Sequence, residues 1–172
     1  MNTNTLSIQT QPHYLLGKWN LYYHLPDNTS WSLDSYVPIS RSINTIEEVI
    51  LLNQTCHDDI IKNFMLFVMR EGITPMWEDH KNRQGGCFSY KVSNKNVPEV
   101  WKSLFSMLCG ESICIEDSHN KHVNGITISP KKNFCIIKIW LDTSSLQDPE
   151  IISYIPNLNK QGCIFKKHEP EF

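Results

Sequence analysis

Short runs in which hydrophobic and polar residues alternate recur along the chain, and this period is typical of half-buried β-strands. In the first run, Trp19, Leu21 and Tyr23 alternate with more polar neighbours. A long polar loop separates the strands predicted over 64–69 and 87–92, which are therefore expected to form a β-hairpin with a large tip. The other strands are predicted over 36–40, 123–129, 134–141 and 163–166.

Two segments combine hydrophobic residues at helical spacing with residues that favour helix ends. Thr45 and Glu48 have the spacing of a capping box, and they predict a helix over about 46–56. A second apolar stripe begins after Asn96 and ends before Gly110, which predicts a longer helix between these two residues.

The spacing of these elements predicts an α+β fold in a single domain. The strands lie too close together along the chain for regular parallel crossovers, so we expect a mostly antiparallel sheet with helices on one face. A short third helix is expected from Asp148 to Ile155, where Pro156 ends it. Residues 1–12 are polar and lack a periodic apolar pattern, so we expect a flexible tail before a domain over 13–172.

Composition and charge narrow the class of protein. With 172 residues, of which 40% are hydrophobic and 20% charged, the chain has the composition of an ordinary globular domain. Lys and Arg together number 16 against 18 Asp and Glu, which gives a formal net charge of −2. This balance argues against a protein that binds nucleic acid mainly through many phosphates, and it is compatible with recognition of a single nucleotide.

Neither a membrane segment nor a secretory signal is evident in the sequence. The six cysteines are scattered and no Cys-x-x-Cys occurs, so we expect reduced thiols in a cytoplasmic protein. The spacing of Cys114, His119 and His122 fits no common zinc site, and nothing in the sequence orients His80 towards Cys87, which we expect to be a buried thiol. No glycine-rich phosphate loop precedes a helix. We therefore expect no metal, no cofactor and no enzymatic activity.

Five tryptophans are many for this length, and they differ in their surroundings. Trp19 and Trp101 fall on apolar positions of a strand and a helix, where core packing is expected. Trp31 and Trp77 fall in predicted loops, either folded back onto the core or displayed for binding, and Glu78 follows Trp77 directly. An indole can stack on a purine while a carboxylate accepts hydrogen bonds from guanine N1–H and N2–H. Two indoles would bind a cationic base such as 7-methylguanine best.

Six short segments between about residue 13 and about residue 156 follow one another in a specific order. They are His13-x-Leu15 before Trp19, Thr29-Ser30-Trp31, Gly72-Ile73-Thr74-Pro75-Met76-Trp77-Glu78-Asp79, Lys81-Asn82-x-x-Gly85-Gly86, Leu108-Cys109-Gly110-Glu111-Ser112 and Ile137-Lys138-Ile139-Trp140. This series resembles the cap-binding subunit of the eukaryotic translation initiation complex, initiation factor four-E. The resemblance implies a cupped antiparallel sheet of about seven or eight strands backed by three helices. It also implies binding of the 7-methylguanosine cap at the 5′ end of messenger RNA in translation initiation.

The resemblance further implies roles for individual residues. Trp31 and Trp77 match the positions that sandwich the methylated guanine. Glu78 matches the carboxylate that holds the Watson–Crick edge of the base, and Trp140 matches the indole beside its N7-methyl group. The expected site therefore recognises one cationic base with three indoles and one carboxylate.

The expected phosphate site departs from the family pattern. Relatives hold the triphosphate of the cap with basic residues before the strand that carries the third indole. Lys131 falls on the first of these positions and Lys132 lies beside it, whereas the next matching positions are Asn133 and Ile136, which carry no charge. Strand alternation would place Lys138 on the same face as Ile136 and Trp140. A solvated turn is the alternative interpretation of Lys131 and Lys132.

The expected partner surface also differs from that of relatives, which bind scaffold and repressor proteins on the helical face through a Tyr-x-x-x-x-Leu-hydrophobic peptide. An indole of the relatives has become Ile50, and two of their apolar positions have become Lys102 and Ser106. Loss of an aromatic anchor commonly weakens an interface. The matching positions in this chain are His13, Tyr14, Ile46, Ile50, Lys102 and Ser106.

These differences favour a divergent family member, and we expect the chain to be a monomer. The abundance of Asn, Ile and Lys suits an AT-rich genome, such as that of a protist or a large DNA virus. Two roles follow as alternatives: an initiation factor that binds capped messenger RNA and a scaffold protein, or a cap-sequestering repressor or transcript-selective factor with altered scaffold binding.

Overall fold

One antiparallel sheet runs through the computed structural model, which describes residues 11–171. Its seven strands are β1 (Tyr14–His24), β2 (Val37–Thr45), β3 (Met65–Arg70), β4 (Gly86–Ser93), β5 (Val123–Pro130), β6 (Phe134–Leu141) and β7 (Ile164–Lys167). The order across the sheet is β2-β1-β3-β5-β6-β4-β7, and all neighbouring strands are antiparallel. The predicted antiparallel sheet is confirmed.

Helices cover one face of this sheet, as expected, although only two of the three were predicted from the sequence. The three are α1 (Ile46–Thr55), α2 (Asp58–Asn63) and α3 (Val97–Cys109). Both α1 and α2 pack against α3, and α3 lies against β1, β5 and β6. A one-turn helix, α4 (Asp117–Asn120), and two short 3₁₀ helices, Leu33–Ser35 and Pro149–Ile151, complete the helical elements of the described residues.

Local sequence signals account for the ends of the two predicted helices. The Glu48 N–H donates to Thr45 Oγ1 at 3.2 Å, and the Thr45 N–H donates to Glu48 Oε2 at 3.0 Å, so the capping box is confirmed. Helix α3 begins directly after Asn96 and ends directly before Gly110. Its apolar stripe, which includes Trp101, is buried against the sheet. Burial of this stripe is the main contribution of α3 to stability, because helices of this length are marginal alone.

Two expectations about connectivity are wrong. Strand β3 pairs with β1 and β5, and β4 pairs with β6 and β7, so β3 and β4 do not form a hairpin. The pair β5 and β6 lies between them and satisfies their inner edges. The third helix expected from Asp148 is only the 3₁₀ helix Pro149–Ile151, after which Ile152 forms a β-bridge with Cys114. An extended residue at this bridge is incompatible with continuation of a helix.

Three further observations complete the comparison of the structure with the predictions made from the sequence. The tail predicted over 1–12 falls mostly outside the described residues, and the two described ones, Gln11 and Pro12, are exposed before β1. Helix α2 was not predicted, although Asp58 and Asp59 in its first turn favour a helix start. Within the described part of the chain, no helix is long and apolar enough to cross a membrane.

Alternation along the strands divides the hydrophobic side chains between the two faces of the sheet. Leu66 and Val68 of β3 join Trp19 and Trp101 in the main core beneath the helices, where both indoles are buried as expected. The opposite face, here called the open face, carries a second cluster to which none of the helices contributes. This aromatic cluster consists of Tyr36, Phe67, Met69, Ile73, Cys87 and Trp140, with Tyr22, Met65, Met76 and Trp77 packed against it.

Two adjacent glycines allow the strands beneath this cluster to approach closely. A Cβ atom at Gly85 would overlap the backbone carbonyl oxygen of Leu141. A Cβ atom at Gly86 would collide with the ring of Phe165 and with the carbonyl oxygen of Lys166. Only glycine fits these positions, because the obstacles at Gly85 are backbone atoms that cannot move independently of the sheet.

We predict that Gly85→Ala lowers the free energy of unfolding by at least about 1–3 kcal/mol, the usual effect of overpacking a tight site. Urea denaturation monitored by tryptophan fluorescence measures this. Gly110→Ala is the matched control, because the nearest heavy atom to its Cβ is Ser106 O at 3.2 Å and its φ is −82°. Equal stability of the two variants would contradict the close approach of β4 and β6 at this point.

Candidate binding site on the open face

The loop between β1 and β2 displays Trp31 at the surface. The Trp31 side chain is 52% exposed, and one face of its ring is covered by His24, the last residue of β1. The two rings are nearly parallel, at 8°, with centroids 4.3 Å apart. Of the two interpretations of this loop tryptophan, display rather than burial is the one observed.

His24 and Tyr36 form the base of this loop. His24 is fully buried, with Nδ1 2.9 Å from Leu25 O and Nε2 2.8 Å from Ser30 O. The ring of Tyr36 packs edge-on against His24 at 5.3 Å and lies 6.3 Å from the Trp31 ring. Burial, together with a nearby carboxylate described below, raises the pKa of Tyr36 to about 12. The ring of Trp31 thus packs on His24, which in turn packs on Tyr36 of the aromatic cluster.

The loop between β3 and β4 carries Trp77 and is held by its own polar side chains. The N–H and Oγ1 of Thr74 both donate to Asp79 Oδ2 at 2.8 Å. Burial opposes ionisation of Asp79, yet hydrogen bonds from Thr74 and neighbouring groups lower its pKa overall. Asn82, which is fully buried, donates to the carbonyl oxygens of Thr74 at 3.0 Å and Met76 at 2.8 Å. The polar side chains of the sequence motif around Trp77 therefore fix the conformation of the loop that carries it.

A buried histidine, His168, joins Trp77 to Trp140. The ring of His168 stacks on Trp77 with centroids 5.5 Å apart at 16°, and it lies 4.8 Å from Trp140 at 52°. Its Nδ1 is 2.7 Å from Asn82 O. Trp140 itself is 4% exposed and donates from Nε1 to Thr127 Oγ1 at 3.2 Å. Trp140 therefore forms part of the floor of the site, below the more accessible Trp77.

Glu78 follows Trp77 in the loop between β3 and β4, and its charge acts on residues that pack against both loop-borne indoles. Its negative charge contributes to the raised pKa of Tyr36, which packs near Trp31. The same carboxylate acts on His168, which stacks on Trp77. One carboxylate oxygen is 3.4 Å from the backbone N of Glu171, a hydrogen bond at the outer limit of distance. A single carboxylate is thus close to both aromatic groups of the open face.

Two lysines missed as site residues lie next to Trp77. The Nζ atoms of Lys138 and Lys166 are 5.8 Å and 5.2 Å from the centroid of the Trp77 ring. Both lie near Cys87: burial raises the pKa of this thiol, and the two positive charges oppose the rise. Cys87 is buried, as predicted. Alternation already placed Lys138 on this face, but Lys166 could be found only from the pairing of β7 with β4.

Lys131 and Lys132 occupy a different place. Both are exposed in the turn between β5 and β6, where the Lys131 N–H donates to Phe134 O at 2.8 Å. Among residues 11–171, neither lysine is one of the cations that lie over an aromatic ring. The structure therefore brings Trp31, Trp77, Glu78 and Trp140 to the open face, and it places Lys131 and Lys132 in the turn at the ends of the inner strands β5 and β6.

The residues expected to bind a partner lie on and beside the helices. Ile46 and Ile50 of α1 are about half exposed, and Tyr14 is more exposed still. Lys102 of α3 forms an ion pair with Asp58 of α2 at 3.1 Å. The remaining two residues also form polar contacts: His13 Nδ1 lies 2.6 Å from Glu47 Oε1, and Ser106 Oγ accepts from Asn53 Nδ2 at 2.9 Å.

The stretch that builds this site matches a known protein family. A family profile described as "Eukaryotic initiation factor 4E" matches residues 14–169. The chain belongs to this family. Membership in a family of translation initiation factors agrees with the expectation that the chain is not an enzyme.

Named relatives cover much of the chain. Eukaryotic translation initiation factor 4E of Eremothecium gossypii is 32% identical over 163 residues, which are 90% of this chain and 70% of that protein. The corresponding factor of Saccharomyces cerevisiae is 31% identical over 74% of this chain and 61% of its own length. A homolog from Acanthamoeba polyphaga mimivirus is 42% identical over 62 residues, which are 36% of this chain and 23% of that protein.

Solved structures of the family share the fold. C. elegans eIF4E-3, in a complex with the 4E-binding protein Mextli and a cap analog, has a TM-score of 0.70 at 23% identity, over 78% of this chain and 77% of that one. Schistosome eIF4E, complexed with m7GpppG and 4E-BP, has a TM-score of 0.70 at 24% identity, over 80% of this chain and 76% of that one. The cupped sheet that the sequence resemblance implied is therefore a family fold.

Proposed function

We propose that this chain binds the 7-methylguanosine cap of messenger RNA and acts in translation initiation in the cytoplasm. The observation that carries the proposal is the gathering of Trp31, Trp77 and Glu78 on the open face. Membership of the initiation factor 4E family supports it, as do relatives whose solved complexes contain a cap analog or m7GpppG. No other part of the described chain presents two accessible indoles beside one carboxylate.

Stacking supplies most of the affinity in this proposal. His24 covers one face of Trp31, so a base must use the other face. The same holds for Trp77, one face of which is covered by His168. Methylation at N7 gives guanine a positive charge, and a cationic ring interacts favourably with the negative π faces of two indoles. Each base–aromatic stack contributes about 1–3 kcal/mol.

Glu78 makes the site specific for guanine. Its carboxylate only accepts hydrogen bonds, and guanine offers two adjacent donors at N1–H and N2–H. Adenine has an acceptor at N1, so it would leave the carboxylate facing a lone pair, which is strongly unfavourable. Trp140, buried beneath Trp77, is the proposed neighbour of the N7-methyl group. Together these groups select a methylated guanine over the other bases.

We predict that Trp31→Ala, Trp77→Ala and Glu78→Gln each weaken binding of the cap analogue m7GTP by about 5- to 150-fold, the loss of one stack or one charge-assisted contact. Isothermal titration calorimetry measures the affinity. Glu99→Gln is the matched control for the carboxylate, because Glu99 is exposed on α3, on the far side of the sheet. Unmethylated GTP should bind much more weakly than m7GTP. Full affinity in Trp77→Ala would refute the clamp.

The phosphates require cations, and four lysines are available. We propose that Lys138 and Lys166, next to Trp77, lie closest to the bound base, and that Lys131 and Lys132 reach the phosphates from the turn before β6. Each charge-assisted hydrogen bond contributes about 1.5–3 kcal/mol when well formed and less at the surface. The phosphate contribution is the part of binding that separates m7GTP from the bare nucleoside.

We predict that m7GTP binds more tightly than 7-methylguanosine, and that Lys→Met changes at these four positions reduce the advantage by about 3- to 10-fold each. Calorimetric titrations with both ligands measure the ratio. Affinity for 7-methylguanosine should not fall in the same variants. Lys91→Met is the control, since its Nζ lies over Phe134 at 4.4 Å rather than near Trp77. If a variant keeps the full ratio of the two affinities, the lysine that it replaces does not contact the phosphates.

A second role is favoured by the polar contacts on the helical face. Lys102 and Ser106, which match apolar positions of the family pattern, form an ion pair with Asp58 at 3.1 Å and a hydrogen bond with Asn53 at 2.9 Å. A peptide docking there would have to displace or desolvate them, which is costly. This favours a cap-binding factor with altered scaffold binding, such as a repressor or a transcript-selective factor, as the alternative function.

We predict that a Tyr-x-x-x-x-Leu-hydrophobic peptide binds the wild-type chain weakly, and that Lys102→Leu combined with Ser106→Leu strengthens the binding by about tenfold or more, because apolar contacts replace desolvated polar groups. Fluorescence anisotropy of a labelled peptide measures this. The m7GTP affinity should stay unchanged in the double variant. Tight binding of the peptide to the wild-type chain would remove the case for an altered partner surface.

A further inference from the structure

A buried histidine lies against each of the two indoles proposed to hold the base. We propose that His24 and His168 are positioning residues, which hold Trp31 and Trp77 by stacking on one face of each indole. This inference rests on the proposed function, since it concerns how the same site is prepared for a cationic base. Neither histidine is part of the sequence pattern that identified the site.

His24 fixes Trp31 through both its ring face and its ring nitrogens. The face stacks on Trp31 at 4.3 Å and 8°, the closest and most parallel ring pair in the described chain. The nitrogens lie 2.9 Å from Leu25 O and 2.8 Å from Ser30 O, so one ring reaches both ends of the segment that leads to Trp31. Tyr36 closes the remaining side of the ring at 5.3 Å. The imidazole therefore sets the shape of the loop and the plane of the indole together.

His168 fixes Trp77 through the neighbouring loop. Its Nδ1 donates to Asn82 O at 2.7 Å, and its backbone N–H donates to Gly85 O at 3.0 Å. Burial lowers the pKa of His168, the nearby charge of Lys138 adds to that effect, and the Asn82 contact and Glu78 oppose it. The neutral ring then has an N–H at Nδ1 and none at Nε2, which matches a buried Nε2 without a partner among the described residues. The end of β7 is in this way attached to the loop that carries Trp77.

Positioning matters here because an exposed indole on a loop has several rotamers. Restricting the ring when a ligand binds opposes binding by about 0.5–1.5 kcal/mol for each immobilised side chain. A histidine stacked on one face removes much of this freedom beforehand, and it leaves only one face on which a base can stack. Two such supports, one at the end of β1 and one directly after β7, would hold both sides of the site before the ligand arrives.

Double-mutant cycles with m7GTP test whether each histidine acts through its indole. We expect His24→Ala to weaken binding by roughly 3- to 10-fold in the wild-type background and to have no further effect in the Trp31→Ala background. The same relation is expected for His168→Ala and Trp77→Ala. Calorimetry with ligand concentrations up to millimolar covers the weakened variants. His57→Ala is the control, since His57 is exposed before α2, on the helical side.

Conservative variants separate positioning from general damage to the fold. His24→Phe and His168→Phe keep an aromatic ring of similar size but lose the contacts of the ring nitrogens, so each should recover the part of the lost affinity that depends on stacking against the indole. Urea denaturation identifies any variant that is unfolded, and the phenylalanine variants then decide the question. The inference is wrong if the alanine variants bind as well as wild type, or if their losses are equally large without the partner indole. Failure of the wild-type chain to bind m7GTP would instead overturn the proposed function.

Discussion

Helices cover only one face of this sheet, so the apolar side chains on the other face must be shielded from water in another way. The rest of the structure depends on that constraint. Each strand presents alternate residues to the two faces. In β3, Leu66 and Val68 meet the helices, so Phe67 and Met69 necessarily lie on the open face. A row of apolar side chains there would be exposed to water unless loops covered it. The loops that carry Trp31 and Trp77 supply that cover, and in doing so they bring two indoles to one surface.

Contacts between aromatic rings connect the loops that carry Trp31 and Trp77 to the sheet. On one side, Trp31 rests on His24, and Tyr36 links both to Phe67 of β3 at 5.2 Å. On the other side, Trp77 and Trp140 meet at His168. Because these rings are rigid and packed, a small number of side chains determines the positions of both indoles. The carboxylate of Glu78 and two lysines then give this aromatic surface its pattern of charge.

Chemistry and local structure could be predicted from the sequence where the signals are local. The capping box at Thr45, the limits of α3 and the paired Trp77 and Glu78 all depend on residues a few positions apart. The bounds of β6, predicted as 134–141, also agree with the structure, and alternation along the strand placed Lys138 on the correct face. These features are set by hydrogen bonding and burial within a single element.

Features that depend on long-range pairing could not be predicted in this way. The hairpin expected between β3 and β4 was wrong because β5 and β6, which follow later in the chain, insert between them. Lys166 and His168 reach the site only through the pairing of β7 with β4, across about 80 residues. His24 looked like an ordinary polar position of a strand, and its burial depends on the fold of the following loop. Such contacts are decided by tertiary packing rather than by local propensity.

A crystal structure of the chain soaked or co-crystallised with m7GTP tests the central claim most directly. If two indoles hold the base, its ring will lie between Trp31 and Trp77 with planes about 3.5 Å from each, and the carboxylate of Glu78 will face N1 and N2. A base bound elsewhere, or one stacked on a single indole with Glu78 turned away, would contradict the claim.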